Sequence, residues 1–303
     1  MSYHRPVLLK ESVDGLAVRE DGVYVDITFG GGGHSREILE RLGPGGRLIA
    51  FDQDEEALKN RPEDARIQIV NANFRFIKQY LKFYGILKVD GILGDFGVSS
   101  HQFDQAERGF STRLDAVLDM RMSRKEALTA REVVNTYPLE QLRLLLHQYG
   151  ELRRAGAIAG AIVKARDRAP IETTGQFNEV LRPFLQRGKE NKGLAQVYQA
   201  LRMEVNQELE ALREFLHQSV DLVRPGGRLS LISYHSLEDR LVKRFMRIGK
   251  FEGEVETDFF GNPQAPFRPV GKLMVPSAEE ISGNPRARSA RLRVARRVEP
   301  NKG

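Results

Sequence analysis

Residues 23–34 read Val-Tyr-Val-Asp-Ile-Thr-Phe-Gly-Gly-Gly-Gly-His, and a second apolar run, Leu48-Ile-Ala-Phe-Asp52, ends on an acid. A strand running into a glycine loop, followed by a strand that ends on a carboxylate, suits an adenosine. The glycines permit close backbone approach, and Asp52 suits the ribose hydroxyls. The dinucleotide fingerprint is incomplete, because Ser35 stands where the third glycine of G-x-G-x-x-G would fall. A pyrophosphate needs amide donors at a helix N-terminus. A cofactor without phosphates needs only the close approach, so S-adenosylmethionine fits this loop better than NAD. A tight glycine turn with no ligand is the bland alternative.

A second acid, Asp95, ends the run Val89-Asp-Gly-Ile-Leu-Gly-Asp95 and opens the loop Phe-Gly-Val-Ser-Ser-His-Gln-Phe-Asp104. In amino-group methyltransferases the equivalent loop carries an Asp or Asn, two prolines and an aromatic. Its polar oxygen accepts a hydrogen bond from the amine. Here the prolines are absent and the leading acid is present.

The elements that must position these residues alternate at first. Val23–Phe29, Leu48–Asp52, Arg66–Asn71 and Val89–Asp95 read as strands, with helices over Ser35–Leu42 and Phe76–Tyr84. That alternation predicts right-handed crossovers and a parallel sheet, with the ligand beyond the carboxyl ends of the strands. From about Gly109 to Arg213 the strand signal disappears. Ser123-Arg-Lys-Glu126 reads as a capping box and Pro138 as a first helical position, its helix stopping near Gly150. Helices are expected over Glu151–Arg168 and from about Gln196 to Val223. Arg224-Pro-Gly-Gly-Arg-Leu then echoes Gly43-Pro-Gly-Gly-Arg-Leu and returns to strand. The helical block is therefore an insertion, with a discontinuous nucleoside-binding domain over 1–108 and 214–303 and the inserted domain over 109–213.

Composition narrows the class. With no cysteine among 303 residues, disulfides and thiolate metal sites are excluded. Six histidines without paired-ligand spacing predict no structural zinc, and no metal is assigned. No apolar run is long enough to span a membrane and the amino end lacks a signal-peptide core, so the cytoplasm is the expected compartment. The net charge of +6 is carried by residues 284–297, which hold six arginines and no acid. Concentrated arginine is what phosphate contacts require; a solvated basic tail or a final strand with exposed arginines is the alternative.

Six blocks occur in order: His4-Arg-Pro-Val-Leu-Leu, Asp26-x-Thr-Phe-Gly-x-Gly-Gly-His-Ser35, Glu107-Arg-Gly-Phe-Ser111, Leu118-Asp-Met-Arg-Met122, Ile232-Ser-Tyr-His-Ser-Leu-Glu-Asp-Arg240 and Asn284-Pro-Arg-Ala-Arg-Ser289. Together they resemble the bacterial 16S ribosomal RNA cytosine-N4 methyltransferase family over essentially the whole chain. Ser236–Asp239 alone is also a capping box. The resemblance implies an α/β class I, Rossmann-like methyltransferase sheet with an inserted all-helical domain. It implies S-adenosylmethionine as donor and, as acceptor, the exocyclic amine of one cytosine in the decoding region of 16S ribosomal RNA. It favours the assembled small ribosomal subunit over free RNA and leaves the oligomeric state open.

By motif position, cofactor contacts are expected from Gly32, Gly33, His34, Asp52, Phe74, Asp95 and Gln102. Asp95 is the candidate acceptor for the amine and His235 a candidate for the released proton, against a structural histidine. A target base must be unstacked and held, so Phe103, Phe110 and Tyr234 are candidate stacking rings. Arg286, Arg288 and Arg291 are candidate phosphate contacts, one of which could instead brace a carboxylate such as Glu238 or Asp239. Two departures stand out. Lys192-Gly-Leu-Ala-Gln-Val-Tyr-Gln199 replaces the family's His-Pro-Ala-Thr-Arg-Thr-Phe-Gln, and Tyr234 replaces a more usual Phe. The rival readings are an NAD-dependent oxidoreductase and a non-catalytic RNA-binding ribosome assembly factor that retains an adenosine pocket.

Overall fold

The apolar runs between acids and glycines become the strands of one sheet. The computed structural model describes residues 6–257, 261 and 264–299, so His4 and Arg5 lie outside the described residues. In chain order the elements are α1 (Leu9–Leu16), β1 (Val23–Asp26), α2 (Gly33–Arg41), β2 (Arg47–Asp52), β3 (Ile67–Asn71), α3 (Ile77–Phe83) and β4 (Val89–Asp95). The helical block follows as α4 (Ser100–Asp104), α5 (Ala130–Thr136), α6 (Leu139–Gln148), α7 (Ala155–Arg166), α8 (Thr174–Leu181) and α9 (Glu190–Asn206). The chain then runs through α10 (Glu208–Leu222), β5 (Val223–Ser233), α11 (Ser236–Ile248), β6 (Phe267–Pro269), α12 (Ala278–Gly283) and β7 (Arg291–Arg297).

Two units result, Met1–Gly97 with Leu209–Gly303, and Val98–Glu208. The first carries a seven-stranded sheet in the order β3-β2-β1-β4-β5-β7-β6. The first five strands of that order are parallel, and β7 runs antiparallel to both β5 and β6. The strand order reverses at β1 and β4, which places the crevice of an open α/β sheet beyond their carboxyl ends. Strands buried on both faces need continuous apolar runs. Leu48, Ile49, Ala50 and Phe51 of β2 are accordingly all inaccessible. Phe215 of α10 and Phe245 of α11 are fully buried in the same core, each contributing about 1.5–3 kcal/mol relative to exposure.

The second unit is helical around its own core, which includes Phe110, Leu142, Ile158, Phe177, Val197 and Leu201. Its expected capping box is displaced. Ser123–Glu126 forms a turn, and the box operates at Thr129 and Glu132, where Ala130 starts α5. Pro138 is the residue before α6 rather than its first. The expected helix over Glu151–Arg168 begins at Ala155.

The long helix expected from Gln196 to Val223 is two helices. Gln207 adopts a left-handed backbone, φ 49°, between α9 and α10. Just before it, Asn206 is turned to local tasks: its amide donates to the Met120 and Arg202 carbonyls and its oxygen accepts the Met122 N–H. The substituted segment Lys192–Gln199 lies inside α9, where Tyr198 is buried and donates to Asn178. No helix among the described residues is long and apolar enough to cross a membrane.

Candidate active site

The glycine loop is built from strain that glycine tolerates. Gly30 and Gly32 have φ of 51° and 75°, a region that side chains disfavour. Gly33 is constrained by space instead, since a Cβ there would lie 2.1 Å from Cγ of Pro6. So Gly33 is required by the packing of the protein's own amino-terminal arm, whatever the loop binds. The same arm is pinned twice more, by the His34 Nε2 contact with the Val7 carbonyl (3.2 Å) and by the Leu8 N–H donated to Glu280 (2.7 Å). This gives the Pro-Val-Leu part of the first sequence block a place against the loop.

Asp26, at the end of β1, organises the loop from beneath. It is fully buried and accepts the Thr28 N–H (3.0 Å) and the Ser35 hydroxyl (2.7 Å). Burial pushes its pKa up, while His34, Ser35 and Thr28 work against that rise. Asp52, at the end of β2, accepts the Gly30 N–H at 2.7 Å and the Asp54 N–H at 2.8 Å. Burial pushes the Asp52 carboxyl up to about 6 in spite of those bonds, with Asp54 and Asp26 adding repulsion. Each Asp52 oxygen spends one acceptor position on an amide and keeps another, which is what a ribose needs. Arg36 and Asn60 close the loop's far side by donating to the Gly31 and Gly30 carbonyls.

Asp95 is set by the neighbouring strand turn. Its N–H donates to Thr28 Oγ1 (2.6 Å), so the β1 and β4 ends are tied together. The Tyr234 hydroxyl hydrogen-bonds the Asp95 carboxylate, and Oδ1 of Asp95 is buried with no partner among the described residues. Burial raises the Asp95 pKa to about 6; His34 and Tyr234 pull it down, and Asp26 and Glu238 push it up. Burial, then Asp95, pushes Tyr234 well above the usual phenol range. A buried carboxylate oxygen without a donor is costly unless a ligand supplies one.

The turn after β5 completes the site. Glu238 is buried and accepts the Tyr234 N–H at 3.0 Å, reaching back across the start of α11. His235 is the residue before α11, so the expected cap at Ser236 shifts by one position. The His235 Nε2 lies 3.1 Å from Glu238 Oε1, outside hydrogen-bond geometry, and both ring nitrogens are buried without a hydrogen-bond partner. Phe74 stands at the β3 end in a short 3₁₀ turn, its ring 5.8 Å from those of Phe96 and Phe215.

The remaining expected site residues are distributed as follows. In the second unit Gln102 is buried and closes a capping box with Ser99, accepting its N–H at 3.1 Å. Phe103 and Phe110 meet edge-on at 6.4 Å; Phe110 is only 4% exposed, which leaves Phe103 the more accessible ring. In the first unit Arg286 and Arg288 are exposed on the 3₁₀ turn Pro285–Ser289.

The arginine-rich end is not a solvated tail, because β7 lies inside the sheet between β5 and β6. Arg291 and Arg293 both bind Asp239, at 3.1 and 2.7 Å. Burial opposes ionisation of Asp239, but the two guanidiniums outweigh it and hold the carboxyl below its usual range. Arg297 donates to the Val220 and Pro266 carbonyls. Thr28 and Asp26 were not among the expected site residues. Their signal was the Asp-x-Thr spacing, in which an Asp side chain accepts the N–H two residues on.

A Rossmann-like sheet of this order, with a glycine loop after β1 and acids ending β2 and β4, defines a nucleoside-cofactor enzyme, here a methyltransferase. The chain belongs to the MraW methylase family, whose model matches residues 1–298. It is 63% identical over 298 residues to Ribosomal RNA small subunit methyltransferase H of Christiangramia forsetii, covering 98% of this chain and 99% of that one. Identity to the protein of the same name from Flavobacterium johnsoniae is 60%, with the same coverage. For that of Bacteroides thetaiotaomicron it is 55%, covering 97% of each chain.

Proposed function

We propose that this protein transfers the methyl group of S-adenosylmethionine to the exocyclic N4 amine of one cytosine in the decoding region of 16S ribosomal RNA, within the small ribosomal subunit. The observation that carries the reading is the buried, unpartnered Oδ1 of Asp95 at the carboxyl end of β4, in a chain whose relatives are named as small-subunit ribosomal RNA methyltransferases.

The residues present fit the cofactor. Asp52 retains acceptor positions for a ribose, the loop of Gly30, Gly32 and Gly33 keeps its backbone free of side chains, and Phe74 offers a ring for an adenine. His34 follows directly on that loop, and Gln102 stays the sequence's further candidate for the cofactor. When bound, S-adenosylmethionine supplies an electrophilic methyl group on a sulfonium.

The chain's own task is to aim a poor nucleophile, because the cytosine amine shares its lone pair with the ring. Asp95 Oδ1 accepts one amine N–H and so favours lone-pair character on nitrogen. With a pKa near 6 the carboxylate is ionised at neutral pH and can accept. The Tyr234 hydroxyl fixes the carboxylate, and Glu238 fixes the backbone of Tyr234. The amine would take the methyl group as the methyl–sulfur bond breaks, leaving a neutral thioether, and would give up one proton. Asp95 receives it, and the buried His235 ring is a second acceptor. Tyr234 and Phe103 are candidate faces for the unstacked base, Phe110 being buried in the helical core, and Arg286 and Arg288 are candidate phosphate contacts.

Incubating the purified protein with methyl-labelled S-adenosylmethionine and small subunits lacking the modification tests this reading. Label is expected in 16S ribosomal RNA with the unaltered protein and is lost with Asp95→Ala. Binding of subunits and cofactor without any label transfer would instead assign the chain to the assembly-factor class.

A further inference from the structure

We propose that a groove between α11 and a bulge in the strand beside β7 is a phosphate-binding subsite for the RNA strand, an inference that rests on RNA being the substrate. The bulge begins where β6 ends. Val270 donates its N–H to the Val294 carbonyl (2.8 Å), and Met274 exchanges both backbone bonds with Leu292 (3.1 and 2.9 Å). Gly271, Lys272 and Leu273 therefore stand opposite Arg293 alone and bow away from the sheet. Gly271 permits the turn with a φ of 70°.

The space between this bulge and α11 is a cavity of about 130 Å³. Its walls carry Lys243 and Arg247 from α11, Lys272 from the bulge and Arg293 from β7, with no carboxylate among the lining residues. Arg293 is already paired with Asp239. Lys243, Arg247 and Lys272 are exposed and make no ion pair or side-chain hydrogen bond among the described residues. Lys243 and Arg247 are four apart on one helix face, where like charges repel. The N–H groups of Gly271, Lys272 and Leu273 likewise donate to no described residue. Unpaired cations and free backbone amides around one concavity match a phosphate group, which can accept from both.

The location ties the groove to the reaction. Lys243 lies eight residues beyond His235, the residue that leads into α11, so the groove stands roughly 12 Å along the helix at about 1.5 Å per residue. A strand whose target base lies near His235 and Asp95 passes this groove a short distance from that base. Phosphate contacts there position the strand and carry no sequence information themselves.

The test is the triple variant Lys243→Ala, Arg247→Ala, Lys272→Ala, with Lys82→Ala on α3 as a control that removes a cation elsewhere. All four side chains are exposed, so the fold is expected to survive. Binding of small-subunit RNA is measured across a salt series, together with turnover at saturating RNA. The triple variant is expected to bind about tenfold or more weakly, with a salt slope smaller by about 0.7 for each cation that meets a single-stranded phosphate. Turnover at saturating RNA and cofactor affinity stay unchanged, and the control behaves as the unaltered protein. Unaltered affinity and slope in the triple variant, alongside normal methylation by the parent, overturn the subsite alone. A parent protein that neither binds nor methylates the RNA overturns the functional reading, and the subsite with it.

Discussion

The Gly30 N–H donates to Asp52 Oδ2 across 2.7 Å, so the acid ending β2 and the loop leaving β1 form one bonded unit. Asp52 thereby has two tasks, holding the loop and, in the proposed function, holding the ribose. Asp52→Ala is expected to weaken S-adenosylmethionine binding by about 1.5–3 kcal/mol by calorimetry, through lost charge-assisted hydrogen bonds. Asp52→Asn keeps one acceptor and is expected to lose less. Equal affinity in Asp52→Ala and the parent would remove Asp52 from the cofactor site.

Asp95 predicts two opposite pH trends. Its carboxyl titrates near 6 when folded and near 3.8 as a free side chain, so the folded state holds its proton more tightly. Its contribution to stability is fully present below pH 3.8 and is lost as pH rises through about 6. Asp95→Asn is therefore expected to raise the melting temperature at pH 7.5, with the gain shrinking toward pH 5. Activity runs the other way, falling as pH drops through 6 because the protonated acid no longer accepts from the amine. A melting temperature for Asp95→Asn at or below the parent's at pH 7.5 would argue that ionised Asp95 is not strained.

Arg291 and Arg293 share Asp239 at the start of α11, which separates bracing from RNA contact. Arg293→Ala is expected to lower turnover several-fold with little change in salt dependence, because it loosens the first turn of α11, which holds Glu238 and follows directly on His235. Arg286→Ala and Arg288→Ala are expected to raise the RNA Michaelis constant and reduce the salt slope, with turnover retained. A salt slope lowered by Arg293→Ala with turnover intact would reverse that assignment.

Gly33→Ala tests the amino-terminal arm. The new Cβ would fall 2.1 Å from Pro6 Cγ, and overpacking of this kind costs about 1–3 kcal/mol. A lowered melting temperature is expected, restored in part when Pro6→Ala is added. If the two substitutions are simply additive, the arm does not pack on the loop in solution.

The strand ends were legible because three of the four apolar runs stop at an acid or a glycine, Arg66–Asn71 being the exception, and Asp52 and Asp95 fall where those patterns put them. The first strand is shorter in the structure, ending at Asp26, although the Phe29 N–H still pairs with the Phe51 carbonyl. The break at Gln207 was hidden, since Val205, Leu209, Leu212 and Leu216 keep helical spacing across it while one left-handed residue turns the chain. The Ser123 box was misplaced because Thr129 and Glu132 offer the same chemistry a few residues on, and burial of Val133 and Val134 decides between them. Charge alone could not tell a basic tail from β7. The alternation of Leu292 and Val294 with arginines was the available sign, and Asp239, distant in sequence, is what holds Arg291 and Arg293. The role of Pro6 against Gly33 depended on a contact between separate elements and had no local signature.

The central claim is the position of the methyl group, and mass mapping of 16S ribosomal RNA from cells with and without this protein tests it most directly. The account predicts that one cytosine of the decoding region loses a single methyl group from its N4 amine when the protein is absent, and regains it with the parent gene but not with Asp95→Ala. An unchanged decoding region, or a lost methyl group traced to a ring carbon or to another base, would contradict it.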